Sequence, residues 1–367
     1  MNELPTSFVM TAFGFAGGAV LGATARWVGF CTFGAIEDAL VIRDNRRLRA
    51  WLLAVAVAIL ALQLARHFGV TRIEETLYLG AQFGWLGAIS GGIAFGFGMA
   101  MVGTCSYGTL VRAAGGDLRA AINALVMGLV AYMTARGLTG LFRVSVIEPT
   151  NIDLTTIGGQ GLAHVAASVF SIALPDAWLF VSVFAVGGLT FWCFRNPEFR
   201  KEHKLIFAGL TVGLVIAFGF ISTALFGNDP FDPQRVVSFS FALPPGEAIV
   251  YLLTLSGAEP NFGIGAVFGT VAGAFVVAAR KKQLRLEAFD DAREMRRHLA
   301  GATLMGFGGV LALGCTVGQG MSAMAVLSLS APLAMLGIVL GAWVGLNMLI
   351  EGTLLGGLRA RLFNDRS

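Results

Sequence analysis

The sequence predicts an all-α polytopic membrane protein of about nine transmembrane helices and four short re-entrant helices, arranged as an inverted-topology pseudo-twofold repeat. Three observations carry that expectation: an apolar composition, the spacing of the apolar runs, and a match of the chain to itself at a shift of 210 residues.

Hydrophobic residues make up 56% of the 367 residues and charged residues 13%. A soluble chain has roughly 45–50% apolar and about 25% charged residues. The mean hydropathy is +0.75. The 49 glycines suit helices that pack backbone to backbone or break at membrane depth. The net charge of +4 is no nucleic-acid signature, because the basic residues fall in short runs between apolar segments. Met1-Asn-Glu-Leu-Pro-Thr-Ser7 lacks the positive start of a cleavable signal peptide.

Apolar runs of spanning length fall at roughly 9–29, 49–67, 82–103, 118–136, 177–195, 204–225, 262–280, 298–313 and 331–351. Four more, at about 31–41, 105–113, 245–255 and 315–328, are too short to cross and read as re-entrant or broken helices. Basic loops at Arg43–Arg49, Arg195–Lys204 and Arg280–Arg297, and the tail with Arg359, Arg361 and Arg366, all fall on one face if there are nine spans. That face is assigned to the cytoplasm. The expected location is a bacterial inner membrane, multi-pass, with the N-terminus outside and the C-terminus cytoplasmic. Arg66 and Arg72 fall on the other side, beside Glu74 and Glu75.

At the shift of 210, Gly96-Phe-Gly98 falls on Gly306-Phe-Gly308, Cys105 on Cys315, Gly108 on Gly318 and Glu37 on Glu247. Four spans, one linking span and four spans follow from this, so an odd number separates each pair of mates and reverses the direction of the second half. The expected division is residues 1–143 as the first inverted repeat, 144–203 as outer loop and linking helix, and 204–367 as the second repeat. Inverted repeats with interrupted helices are a transporter plan, with the substrate site near the midplane.

Three of the four cysteines share a C-x-x-G pattern: Cys31-Thr-Phe-Gly34, Cys105-Ser-Tyr-Gly108 and Cys315-Thr-Val-Gly318. Each stands where a span meets a short helix, with Gly29, Gly103 or Gly314 just before it. Glycine lets the chain turn there, and the thiol then stands at a helix N-terminus, which favours an anion. A soft, polarizable thiol suits a sulfur anion better than a hard oxyanion. The alternative is that these cysteines pack as small hydrophobes, which is the reading kept for Cys193. The fourth equivalent position is Phe241. No C-x-x-C pair or His-flanked cysteine marks a dithiol or metal centre, and no phosphate loop appears, so no cofactor and no metal are expected.

Glu37 and Glu247 are charges in short helices, and such charges are rare at membrane depth. They serve either the substrate path or the wet end of each helix. Arg112 and Arg119 either draw an anion toward the cytoplasmic exit or mark the inner face.

At these motifs the chain resembles the YeeE/YedE sulfur-transport family. The resemblance rests on Arg26-Trp-Val-Gly-Phe-Cys31-Thr-Phe-Gly34, Gly103-Thr-Cys-Ser-Tyr-Gly-Thr-Leu-Val-Arg112 with Gly115-Gly116, Gly314-Cys-Thr-Val-Gly-Gln-Gly320 and Phe241-Ala-Leu-Pro-Pro-Gly-Glu247. It implies nine spans, four short central helices, an hourglass shape, and three pore thiols: Cys31, Cys105 and Cys315. It also implies uptake of a thiosulfate-like anion, handed along by S–H···S hydrogen bonds, and a cytoplasmic sulfur-carrier protein of the TusA type as partner. Thr104, where the second repeat has Gly314, and the long segment 144–176 depart from the pattern. Transport of another sulfur or selenium species, and a membrane thiol enzyme relaying sulfur to a carrier, remain the alternatives. The residues expected to line the path are Cys31, Cys105, Cys315, Gly34, Gly108, Gly318, Glu37 and Glu247.

Overall fold

The computed structural model describes residues 5–71, 73–227, 234–254 and 259–351. Arg72 and the tail arginines Arg359, Arg361 and Arg366 lie outside them. The described residues are almost wholly helical, with one two-stranded sheet, Gln82–Phe83 against Ile152–Asp153.

Helix α1 (Thr6–Val28) is followed by the short α2 (Thr32–Glu37), which runs on as a π turn to Ile42. Next come α3 (Arg46–His67), α4 (Trp85–Val102), the short α5 (Ser106–Ala113) and α6 (Leu118–Arg136). A connecting stretch holds α7 (Leu138–Phe142) and α8 (Leu162–Phe170), and the linking helix α9 (Leu174–Phe194) leads through α10 (Pro197–Lys201) to α11 (His203–Phe226). The second half continues with the short α12 (Pro244–Leu253), α13 (Phe262–Arg280), α14 (Ala292–Leu311), a π turn over Gly318–Ala323 and α15 (Ser330–Glu351). A short helical piece thus stands at each of the four places the sequence marks.

Eight helical stretches among the described residues are long and apolar enough to cross a membrane. The ninth expected span, 298–313, is α14, which begins earlier, at Ala292. Its first turns carry Arg293, Glu294, Arg296 and Arg297, so only its second half is apolar. At 20 residues it is still about 30 Å long.

The helix contacts pair off under the 210-residue correspondence. Helix α1 packs on α13, and α11, which takes the place of α1 once an insertion in the second half is allowed, packs on α3, the mate of α13. Likewise α4 packs on α15 and α14 on α6. The helices α1 and α11 are also in contact, as are α4 and α14. The α1–α13 contact is backbone to backbone: a Cβ on Gly22 would fall on the Thr270 carbonyl, and one on Gly273 on the Ala19 carbonyl. Small residues every fourth position, Gly14, Gly18 and Gly22 facing Gly265, Gly269 and Gly273, are the membrane route to such close approach.

The breaks before the short helices have a backbone cause. Gly29 and Gly103 close α1 and α4 at φ 76° and 75°, the left-handed region where glycine costs least. In the second half the left-handed residue is Leu313, at φ 57°, and not the expected Gly314. Leu313 is the 210-residue mate of Gly103, and a non-glycine there is strained. Gly314 is needed for space instead, because a Cβ on it would stand 3.0 Å from the Gln319 nitrogen.

Candidate functional site

Cys31 is the residue before α2, in extended conformation (φ −145°, ψ 131°). Cys105 holds the same place before α5. Their sulfurs lie 4.0 Å apart, and the Cys31 sulfur is 3.9 Å from Thr104 Oγ1. The Cys105 sulfur also accepts the Gly108 N–H at 3.3 Å. A Cβ on Gly108 would collide with Thr104 Oγ1 and would crowd both sulfurs, at 3.4 and 3.5 Å. The glycine of this C-x-x-G therefore gives the thiol a donor and leaves the pair room.

Cys315 repeats the device. Its sulfur accepts the N–H of Gly318 at 3.5 Å and that of Phe241 at 3.2 Å. A Cβ on Gly318 would stand 2.6 Å from Ser240 Oγ. Gly34 differs: a side chain there would press on the Arg47 guanidinium, 3.0 Å away, which pairs with Asp38 at 3.3 Å. The fourth equivalent position, Phe241, is fully buried. Its ring lies 5.1 Å from that of Tyr107, tilted by 32°, so it joins Cys315 to the Cys105 motif through one backbone bond and one aromatic contact. The Tyr107 hydroxyl is fixed on the Leu21 carbonyl.

Cavities approach the thiols from opposite ends of the bundle. One, of about 580 Å³, is lined by Tyr78, Ser240, Leu313 and Gly314 at its inner end and by Arg136, Arg143, Arg235 and Glu247. Met10, early in α1, also lines it. A second, of about 160 Å³, runs from Thr104 to Arg112, Asn123 and His298. A third, of about 420 Å³, shares Arg112 and adds Arg26, Lys282 and Arg285. Arg26 closes α1 and Lys282 follows α13, so these two open at the end of the bundle opposite the first. The first cavity thus reaches Gly314, next to Cys315, and the second reaches Thr104, next to Cys105; Phe241 and Tyr107 line none of the three.

The charge lining these cavities is only partly compensated. Arg119 is bridged to Asp117, Glu287 and Glu294, and Arg143 pairs with Glu148 at 2.8 Å. Arg112, Arg136 and Arg235 make no ion pair among the described residues. Glu247 lines the first cavity and accepts the Asn261 amide at 3.1 Å. Glu37, its mate, has Arg112, Arg47 and Cys31 as electrostatic neighbours. Unlike Glu247, Glu37 lines none of these cavities.

Cys193 takes no part in this arrangement. Its thiol donates to the Arg49 carbonyl at 3.2 Å, and the Arg49 guanidinium lies 4.1 Å over the Trp192 ring. It fastens α9 to α3. His298 meets Asn123 at 2.9 Å and His164 packs on Trp178. No histidine contacts a thiol among the described residues, and no group of residues there has the make-up of a metal site.

Sequence reasoning missed Arg136, Arg143 and Arg235, which come from separate segments and share a cavity only after folding. It also missed Tyr78, in the single 3-10 turn Leu77–Leu79, and Ser240, in an irregular stretch, neither of which has periodicity. Thr104 was legible only as a departure from the repeat, yet it is the residue through which the second cavity reaches Cys31.

The family model described as "Sulphur transport" matches residues 28–344. A thiosulfate transporter, TsuA, of Escherichia coli strain K12 is 25% identical over 360 residues, covering 92% of this chain and 94% of the relative. The TsuA of Spirochaeta thermophila is 25% identical over 335 residues, covering 89% of this chain and 95% of that protein.

Proposed function

The chain belongs to the sulphur transport family, and from that premise we propose that it carries thiosulfate, or a closely similar sulfur-containing anion, along a central path lined by Cys31, Cys105 and Cys315. What supports this reading is that neighbours of the three thiols line cavities at opposite ends of the bundle: Gly314, next to Cys315, lines one, and Thr104, next to Cys105 and 3.9 Å from the Cys31 sulfur, lines another. Residues 1–143 and 204–367 act as the two inverted repeats, and 144–203 links them. Positive-inside charge puts the Arg26–Arg285 cavity on the cytoplasmic side of a bacterial inner membrane and the Arg136–Arg235 cavity outside.

The outer arginines raise the local anion concentration. The anion then meets Tyr78, Ser240 and the Cys315 thiol. Its terminal sulfur, soft and charged, accepts an S–H hydrogen bond, and its charge is met by backbone N–H groups at the start of the short helices. Displacement of the Phe241–Tyr107 contact passes it to the Cys105–Cys31 pair, and Arg112 draws it on. No covalent bond to sulfur is needed. The cytoplasmic mouth is the place where a TusA-like sulfur-carrier protein would collect the product.

The test is growth on thiosulfate as sole sulfur source in a bacterial strain lacking its own sulfate and thiosulfate importers. Wild type should rescue growth, and Cys31→Ala, Cys105→Ala and Cys315→Ala should not, at equal membrane expression. Failure of the wild type with the carrier protein supplied would overturn the thiosulfate assignment.

A further inference from the structure

Two hydroxyls beside the thiols have no partner. Ser106 and Thr316 are both wholly buried, and Ser106 Oγ and Thr316 Oγ1 make no hydrogen bond. They are mates at the 210-residue shift, and each directly follows a path cysteine, Cys105 or Cys315. A buried hydroxyl without a partner destabilises the fold. The same orphan at both equivalent positions calls for one explanation.

The usual remedy for a helical Ser or Thr is a bond to the carbonyl four residues earlier. This chain uses it at Thr11, Ser90, Thr109, Thr134 and Ser182. For Ser106 and Thr316 the corresponding carbonyls belong to Val102 and Ala312, on the far side of the helix break. The Ala312 carbonyl already accepts the Gln319 amide at 2.7 Å. The break that exposes each thiol thus also strands the hydroxyl next to it. Thr104 and Gly314, each one residue before a path cysteine, line these cavities, so Ser106 and Thr316 each stand two residues along the chain from a cavity-lining residue.

We propose that Ser106 and Thr316 are the oxygen-recognition pair of the path: each hydroxyl donates to an oxygen of the passing anion while the neighbouring thiol faces its sulfur. This rests on the transport reading above and sharpens it. The substrate class becomes an oxyanion that carries a terminal sulfur, because such a molecule sets a soft sulfur against the thiol and an oxygen against the hydroxyl of each Cys–Ser or Cys–Thr dipeptide. A site built to hydrogen-bond oxygen discriminates against an analogue lacking it, since the buried donor then stays unpaired.

The experiment uses full-length protein in liposomes and ³⁵S-labelled thiosulfate, reading half-saturation and maximal rate separately. Ser106→Ala and Thr316→Val should each raise half-saturation about tenfold, the loss expected for a hydrogen bond to a charged group. Ser106→Thr and Thr316→Ser, which keep the hydroxyl, should stay within about twofold of wild type. Monodisperse protein with a melting temperature no lower than that of wild type shows that the fold is intact. Half-saturation unchanged in folded Ser106→Ala and Thr316→Val would overturn the proposal, as would equal losses in the hydroxyl-keeping variants. No uptake by wild type would overturn the transport reading itself, and the oxygen pair with it.

Discussion

The Cys31–Cys105 region and the Cys315–Phe241 region are built on the same backbone and carry different chemistry. Both place a cysteine before a short helical piece and accept the N–H of the glycine three residues on. In the first region the facing position is a second thiol, 4.0 Å away. In the second it is Phe241, whose backbone N–H occupies the Cys315 sulfur and whose ring bears on Tyr107. One region is an open pair of soft donors; the other is a single thiol behind an aromatic stopper. The chain therefore breaks in the same way at both places, while the side chains there differ.

The sharpest way to break this comparison is to remove a thiol from each region. Cys105→Ala and Cys315→Ala should both abolish thiosulfate uptake with the protein still folded in the membrane, as judged by size-exclusion chromatography in detergent. If only one mattered, a relay through both regions would be wrong.

Phe241→Cys makes the second region resemble the first. Losing a buried ring costs a few kcal/mol, so the melting temperature should fall. The stopper is also lost, so liposomes bearing the variant should leak sulfate severalfold faster than wild type, measured by radiotracer flux. A tight variant would show that the ring only fills space.

Smaller effects are expected at the mouths. Arg136→Gln with Arg235→Gln should raise half-saturation severalfold at low salt, with the difference from wild type shrinking as ionic strength rises, because exposed charge is screened. Smallest is Cys193→Ala. It should leave uptake unchanged and lower stability by about 1 kcal/mol, since it removes one weak hydrogen bond to the Arg49 carbonyl and little volume.

Much of this arrangement was legible in the sequence because hydropathy and glycine spacing report local events. The spans, the four short pieces and the Cys105–Cys315 correspondence all come from features within a few residues of each other, repeated at one shift. The start of α14 was not legible, because Arg293 to Arg297 make a helix that the apolar ruler does not see. Neither was the turn at Leu313, a half-exposed leucine in the left-handed conformation where the first repeat has Gly103. The basic lining of the Arg136–Arg235 cavity escaped because its residues lie far apart in the chain. Phe241 could be named as the odd fourth position, but its contact with Tyr107 depends on how the two halves cross.

The most direct test of the central claim is ³⁵S-thiosulfate uptake into liposomes holding each single cysteine-to-alanine variant. Loss of uptake for Cys31→Ala, Cys105→Ala and Cys315→Ala, with Cys193→Ala equal to wild type, is the predicted result. Four variants with equal uptake, all folded, would contradict it.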